Sequence, residues 1–310
     1  MQIINPKSNF DFVSKNRIAV CLSIMVILSG IFSLVLKGGP EYGVDFSGGT
    51  LVQVRFSSDI NAEQIQDSLS SLDLGPVTVQ HFGDANNEYL IRTPKTDDKV
   101  AQLSKQIELA LKTGSGDVQL EILRSEMVGP QVGQELRTKG FLSLLYAMIG
   151  TLVYISWRFE FRYGVAAIVA LIHDVLVTLG LFSLFGKEVD LTIIAAILAI
   201  IGYSLNDTII IFDRVRENLG RRSDVSLAAT LNRSINETLS RTILTSGTTL
   251  LVVLSLFILG GGVIHNFAFA LLVGIVAGTY STVFVAGALI LLWEKHRPVI
   301  SKNYGVSVDA

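Results

Sequence analysis

The chain has 310 residues, of which 50% are hydrophobic and only 17% charged, with a formal net charge of −2 and a mean hydropathy of +0.51. This apolar excess sets aside an ordinary soluble domain, a disordered chain and a basic nucleic-acid binder, and it points to a polytopic membrane protein. The lone Cys21 has no partner for an internal disulfide, so it reads as a small packing residue.

A membrane helix needs roughly 20 mainly apolar residues, and six stretches qualify: 18–36, 141–157, 163–185, 191–212, 243–264 and 267–293. The first follows a short 1–17 terminus carrying Lys7, Lys15 and Arg17, as a signal peptide would. It runs into Lys37-Gly38-Gly39-Pro40 without a small-x-small cleavage pattern, and so reads as a retained anchor.

Residues 37–139 are soluble in character, with ten Lys/Arg against fifteen Asp/Glu. Residues 50–56 alternate Val52, Val54 and Phe56 with Gln53 and Arg55, the period of a half-buried strand. Asn61 with Gln64 three residues on forms a capping box before a helix faced by Ile65, Leu69 and Leu72. Strands follow at 76–82 and 88–93 around a turn at 83–87. A second helix at 97–112 carries Val100, Leu103, Ile107 and Leu111, and a last strand spans 117–127. The order β-α-β-β-α-β is the ferredoxin-like pattern. Gly43 to Thr50 is glycine-rich, but no lysine follows its glycines and no strand leads into it. A tight turn feeding the first strand is expected there, rather than a phosphate loop.

The second to sixth membrane helices fall within 140–293, with an inner loop at 213–241 and a tail at 294–310. On one side of the membrane the terminus, short loops and tail hold fourteen Lys/Arg. The short loops of the other side hold only Lys187. By the positive-inside rule both termini are cytoplasmic and the 37–139 domain lies outside. Leu227, Leu231, Ile235 and Leu239 space along one face of the inner loop, which reads as an amphipathic helix lying on the lipid surface. The sixth helix places Ala270, Gly274, Gly278, Thr282 and Ala286 at i+4 steps. That is a packing seam centred on Gly274 and Gly278, whose partner helix is either intramolecular or in a second subunit.

Ionisable groups inside the apolar runs are few. Asp207 sits in 191–212 between Asn206 and Thr208, and an acid at mid-bilayer costs about 2.5–3.5 kcal/mol to insert on translocon scales. Such acids face a bundle interior and carry a partner or a proton. Arg241, at the inner mouth of the fifth helix, is within reach as a counter-ion. Arg214, at i+7 from Asp207 on nearly the same face, is the rival partner or else an interfacial anchor. His173 and Asp174 lie near the middle of the third helix, about 100° apart on it, so only one need face inward. The four histidines show no metal-ligand spacing, and neither a nucleophile nor a cofactor site is expected.

The run from Gly202 to Asn218, Gly-Tyr-Ser-Leu-Asn-Asp-Thr-Ile-Ile-Ile-Phe-Asp-Arg-Val-Arg-Glu-Asn, resembles the fourth-helix signature of the SecD/SecF family. Tyr42 to Thr50, Val128 to Gly133, His173-Asp174-Val175 and Arg241 to Leu250 resemble the same family, and the likeness covers residues 16–293. The resemblance implies half of a resistance-nodulation-division type bundle, paired with the six helices of SecD. It implies an accessory, non-enzymatic role beside the SecYEG channel, with YajC a further candidate partner. There the subunit draws unfolded preprotein across the bacterial inner membrane at the expense of the proton or sodium motive force. It also implies that Asp207 and Arg241 form the ion-responsive pair; Asp174 and Asn206 are counted with them as ion-coupling candidates, and His173 and Arg214 as secondary ones. Two other readings stand beside it. An intramembrane aspartyl protease would use Asp174 and Asp207, although its Tyr-Asp and Gly-x-Gly-Asp motifs are absent. A stand-alone small-solute exporter of the same superfamily is disfavoured by the single six-helix half.

Overall fold

The computed structural model describes residues 9–72, 74–82, 87–94, 100–114, 118–221, 226–298 and 307–308. Among the described residues, six helices are long and apolar enough to cross a membrane. They are α1 (Asn16–Leu36), α5 (Pro130–Arg158), α6 (Phe161–Leu184), α7 (Leu191–Arg221), α8 (Leu227–Leu259) and a composite last helix. That last helix is built from α9 (Gly261–Ser281), a π-helical turn (Thr282–Ala286) and α10 (Gly287–His296).

Between α1 and α5 the chain forms a short helix α2 (Val44–Ser47), then β1 (Gly49–Phe56), α3 (Ala62–Leu69), β2 (Thr78–His81), β3 (Glu88–Thr93), α4 (Val100–Gly114) and β4 (Leu120–Val128). The sheet order is β2-β3-β1-β4 with every pair antiparallel, which is the ferredoxin-like topology. Its core follows the two periods of the sequence. Val52, Val54 and Phe56 of β1 and Ile91 of β3 pack against Ile65 and Leu69 of α3 and Leu103, Ile107 and Leu111 of α4. The capping box forms, with the Asn61 side chain accepting from Glu63 N and Gln64 Oε1 accepting from Asn61 N. The turn expected at 83–87 lies, except for Asn87, outside the described residues, as do Asp97 and the side chain of Val100.

The glycine-rich stretch is a close approach of backbones. Gly48 and Gly49 have φ of +72° and +115°, and a Cβ on Gly49 would stand 2.5 Å from Thr93 O. One on Gly133, in the first turn of α5, would stand 3.0 Å from Gly48 N. A side chain at Gly49 would part β1 from β3, and one at Gly133 would push α5 off the segment that feeds the sheet.

Within the bundle, α7 and α8 are 31 and 33 residues long, hence about 46–50 Å at 1.5 Å per residue, well beyond a hydrocarbon core of about 30 Å. The excess corrects the expected inner loop. Leu227, Leu231 and Ile235 do not face lipid; they are buried against Phe212, Val215 and Leu219 of α7 and Ile290 of α10. An apolar stripe with helical spacing fits a protein groove as well as a bilayer surface, and here the neighbouring helices fill it. Asn232 and Asn236 of α8 also accept backbone N–H groups of Phe12 and Phe10 at 2.8 Å, which pins the N-terminal segment to this hairpin.

The seam of the last helix turns inward. A Cβ on Gly274 would lie 2.2 Å from Ile200 Cδ1, and one on Gly278 would lie 2.9 Å from Ser204 Cβ. One turn further, Thr282 Oγ1 is 2.9 Å from Thr208 Oγ1. Residues 200, 204 and 208 of α7 thus run along 274, 278 and 282, and the partner that the sequence left open is intramolecular. A second close crossing was not foreseen: a Cβ on Gly30 of α1 would stand 2.5 Å from Gly180 Cα of α6.

Candidate functional site

Two acids are buried on the axis where α6, α7 and α9 meet: Asp174 is 1% exposed and Asp207 is 3% exposed. Their surroundings differ. Asp174 Oδ2 accepts the Ser204 hydroxyl at 2.7 Å, and its Oδ1 lies 3.0 Å from His173 Nδ1. His173 continues the chain through Nε2, 3.0 Å from Ser23 Oγ on α1. Ser23 donates to Tyr280 OH at 3.3 Å, and the Tyr280 hydroxyl donates in turn to Ala19 O. Both residues of the His-Asp pair are therefore inward and engaged, one toward α7 and the other toward α1. A cleft of about 420 Å³ lined by Leu22, Ser23, Val26, His173, Val177 and Tyr280 opens beside this chain.

Asp207 sits one turn along α7 from Ser204. Its Oδ2 is buried and has no hydrogen-bond partner, and among the described residues no cation lies within salt-bridge distance of it. Arg241 lies exposed on α8 and forms no ion pair with Asp207. Arg214 turns to the other side, where Glu217 and Glu237 hold its guanidinium. It is an anchor of the α7–α8 hairpin and does not meet Asp207. Around the acid, Thr208 donates to Ser204 O at 3.1 Å and meets Thr282 at the start of the π-helical turn. Tyr203 reaches Ser246 at 3.3 Å, and Ser246 meets Thr279 at 2.9 Å, tying α7, α8 and α9 together. Sequence reasoning gave no role at the site to Ser204, Thr208, Ser246 or Thr282, although Thr282 was read as part of the packing seam. The available signal was their place on the Asp207 face, or opposite it, at helical spacing.

Asn206 points the other way. With Ala195, Ala199 and Gly202 it forms an exposed stripe of small residues down α7, and nothing lies within 4 Å of where a Cβ on Gly202 would be. A bare small-residue face in the middle of a membrane helix, bearing one amide, suits close approach of another helix. No group of three or more potential metal ligands occurs among the described residues.

A six-helix membrane bundle with a buried acid on a central helix and a ferredoxin-like domain inserted after the first span defines a multi-pass membrane protein of transporter architecture. A family model described as "Protein export membrane protein SecD/SecF, C-terminal" matches residues 108–296, and the "SecD/SecF GG Motif" model matches residues 33–60. A protein translocase subunit SecF of Desulfurispirillum indicum is 48% identical over 289 residues, covering 91% of each chain. That of Vibrio alginolyticus is 46% identical, covering 94% of this chain and 91% of its own. The crystal structure of SecDF from Thermus thermophilus, described as a translocon-associated membrane protein, superposes with a TM-score of 0.86 at 34% identity. It matches 94% of this chain, which spans 40% of that longer one. The chain belongs to the SecD/SecF family of protein-export membrane proteins.

Proposed function

We propose that this chain is an accessory subunit of the Sec protein translocase that couples ion entry at Asp207 to preprotein export. The observation that carries the reading is the contrast within the site: a buried carboxylate with an unpartnered oxygen and no ion pair, on the helix that precedes the one bearing Arg241. Asp174 next to it is fully engaged. A buried acid without a bonded partner can gain or lose a proton or a sodium ion without dismantling a network. In the empty state Arg241 draws toward the carboxylate; once the acid is neutralised that attraction is gone, and α7 and α8 relax relative to one another.

The energy available limits the mechanism. One charge crossing 100 mV yields about 2.3 kcal/mol, whereas moving a two-state element from 1:99 to 99:1 needs about 5.5 kcal/mol. Either several ions act per cycle, or the two conformations are nearly balanced at rest. The bare Ala195, Ala199, Gly202 and Asn206 face of α7 is where the six helices of SecD would dock, and Asn206, turned away from Asp207, would then meet SecD. The charge asymmetry of the loops supports cytoplasmic termini in the bacterial inner membrane. In that orientation the ferredoxin-like domain stands outside, where preprotein emerges from the SecYEG channel. YajC is a further partner consistent with the family. An aspartyl protease is not supported, because the Asp174 oxygens are committed to His173 and Ser204 and do not share a proton with Asp207.

The test is Asp207→Asn in membrane vesicles holding the translocase. Export stimulated by the ion-motive force is expected to fall to the level seen with ATP alone. Undiminished stimulation would remove the coupling role.

A further inference from the structure

The soluble domain is joined covalently to the bundle through α1 and α5, but the structure holds it at a third place. The loop between α6 and α7 runs beside the segment that precedes α2. Val189 N donates to Glu41 O at 2.7 Å and Gly43 N donates to Val189 O at 3.0 Å, which makes a parallel bridge between Tyr42 and Val189. Leu191 N, at the start of α7, donates to Asp45 Oδ2 of α2 at 3.1 Å. On the sheet side, Arg92 of β3 forms an ion pair with Glu188 of the loop. Both are mostly buried, and Arg92 Nε and Glu188 Oε1 are left without partners. Burial pulls the Arg92 guanidinium down to about 10, opposed by the charges of Asp190 and Glu41.

These contacts converge on Glu188, Val189 and Leu191, at the very start of the helix that carries Asp207. A buried ion pair whose remaining polar atoms are unsatisfied is a poor source of stability and a good source of register, since breaking it strands both charges. Asp190 adds rigidity at the same point: its Oδ1 accepts from Ile193 N at 3.0 Å and from Thr192 Oγ1 at 2.6 Å, capping α7. Lys187 Nζ donates to Asn266 Oδ1 at 2.9 Å, which ties the same loop to α9.

We infer that the Arg92–Glu188 pair and the Glu41–Asp45 bridge to the α6–α7 loop form a joint that makes the soluble domain and the adjacent end of α7 one moving body. A displacement of α7 then reaches the domain through its own helix cap, and not only through α1 and α5. The inference rests on the reading that α7 responds to the state of Asp207, and it concerns a different part of the helix.

The experiment uses the full chain with its SecD partner in vesicles, in a Cys21→Ala background. A Cβ on Gly43 would stand 3.1 Å from Asp190 Cβ, a few tenths of an ångström inside the about 3.5–4.5 Å of a disulfide, so Gly43→Cys with Asp190→Cys can lock the joint after a small outward adjustment. The pair is expected to oxidise readily, and ion-driven export in the oxidised form to stay within about twofold of the reduced form. Loss of export on oxidation, restored by reductant, would overturn the joint, as would failure of the pair to oxidise. Arg92→Glu is expected to lower ion-driven export by about fivefold or more at an unchanged membrane level, with export on ATP alone unaffected. Arg92→Glu combined with Glu188→Arg is expected to recover most of the loss. No recovery with both chains folded would contradict the pair's role. Normal export by Asp207→Asn would sink the coupling reading while leaving the disulfide result to stand or fall by itself.

Discussion

Asp174 and Asp207 lie one helix apart on the same buried axis, and they illustrate two uses of an expensive group. Asp174 has both oxygens engaged, by Ser204 and by His173, and through His173 it reaches Ser23 of α1. It fastens three helices together, as a satisfied polar network does in a low-dielectric interior. Asp207 has an oxygen that is buried and unpartnered, and among the described residues no cation pairs with it. The same residue type is a fastener in one place and an open site in the other, and the difference lies in the neighbours. Asp174 should therefore matter mainly to stability, and Asp207 mainly to function.

The largest break in that comparison comes from Asp207→Asn. One charge at 100 mV biases a two-state element by about fifty-fold. Ion-driven export should accordingly drop by about tenfold or more, while thermal unfolding of the purified chain changes little, because no hydrogen bond to Oδ2 is lost. Next is Gly274→Leu, which drives a side chain into Ile200 and should destabilise the chain by about 1–3 kcal/mol or more. The readout is its melting temperature in detergent and its level in the membrane. Asp174→Ala would strand the Ser204 hydroxyl and His173 Nδ1, at about 1–3 kcal/mol for each buried group left unpaired. Its melting temperature should fall below that of Asp207→Asn, whereas its residual export should exceed it. The smallest change is Ser204→Ala, which removes one hydrogen bond to Asp174. It should cost about 1 kcal/mol, with export close to normal.

The soluble domain was the more legible half of the molecule. Its strands alternate and its helices repeat at three to four residues, and a capping box marks where α3 begins, so local pattern and tertiary core agree. The membrane half was legible as spans but less so as contacts. Apolar length marks a helix without saying which face meets lipid, and so the Leu227, Leu231, Ile235 stripe was assigned to the bilayer when the neighbouring helices bury it. The small-residue seam was visible at Gly274 and Gly278, but its alignment with Ile200, Ser204 and Thr208 depends on how two helices cross. Gly30 is the single glycine of α1 and Gly180 one of two in α6, and only the crossing of α1 and α6 gives the pair meaning. At the site, the cost of burying an acid singled out Asp207 from sequence. Whether its oxygens are satisfied is a property of side chains brought from three other helices, and no spacing encodes that.

The most direct test of the division between the two acids is carbodiimide labelling of the full chain with its partner in lipid nanodiscs, mapped by peptide mass spectrometry. Carbodiimides modify protonated carboxyls in apolar surroundings. The account predicts an adduct at Asp207 that diminishes as pH rises or as the coupling ion is added, with Asp174 unmodified throughout. An adduct at Asp174 with Asp207 unlabelled would contradict it.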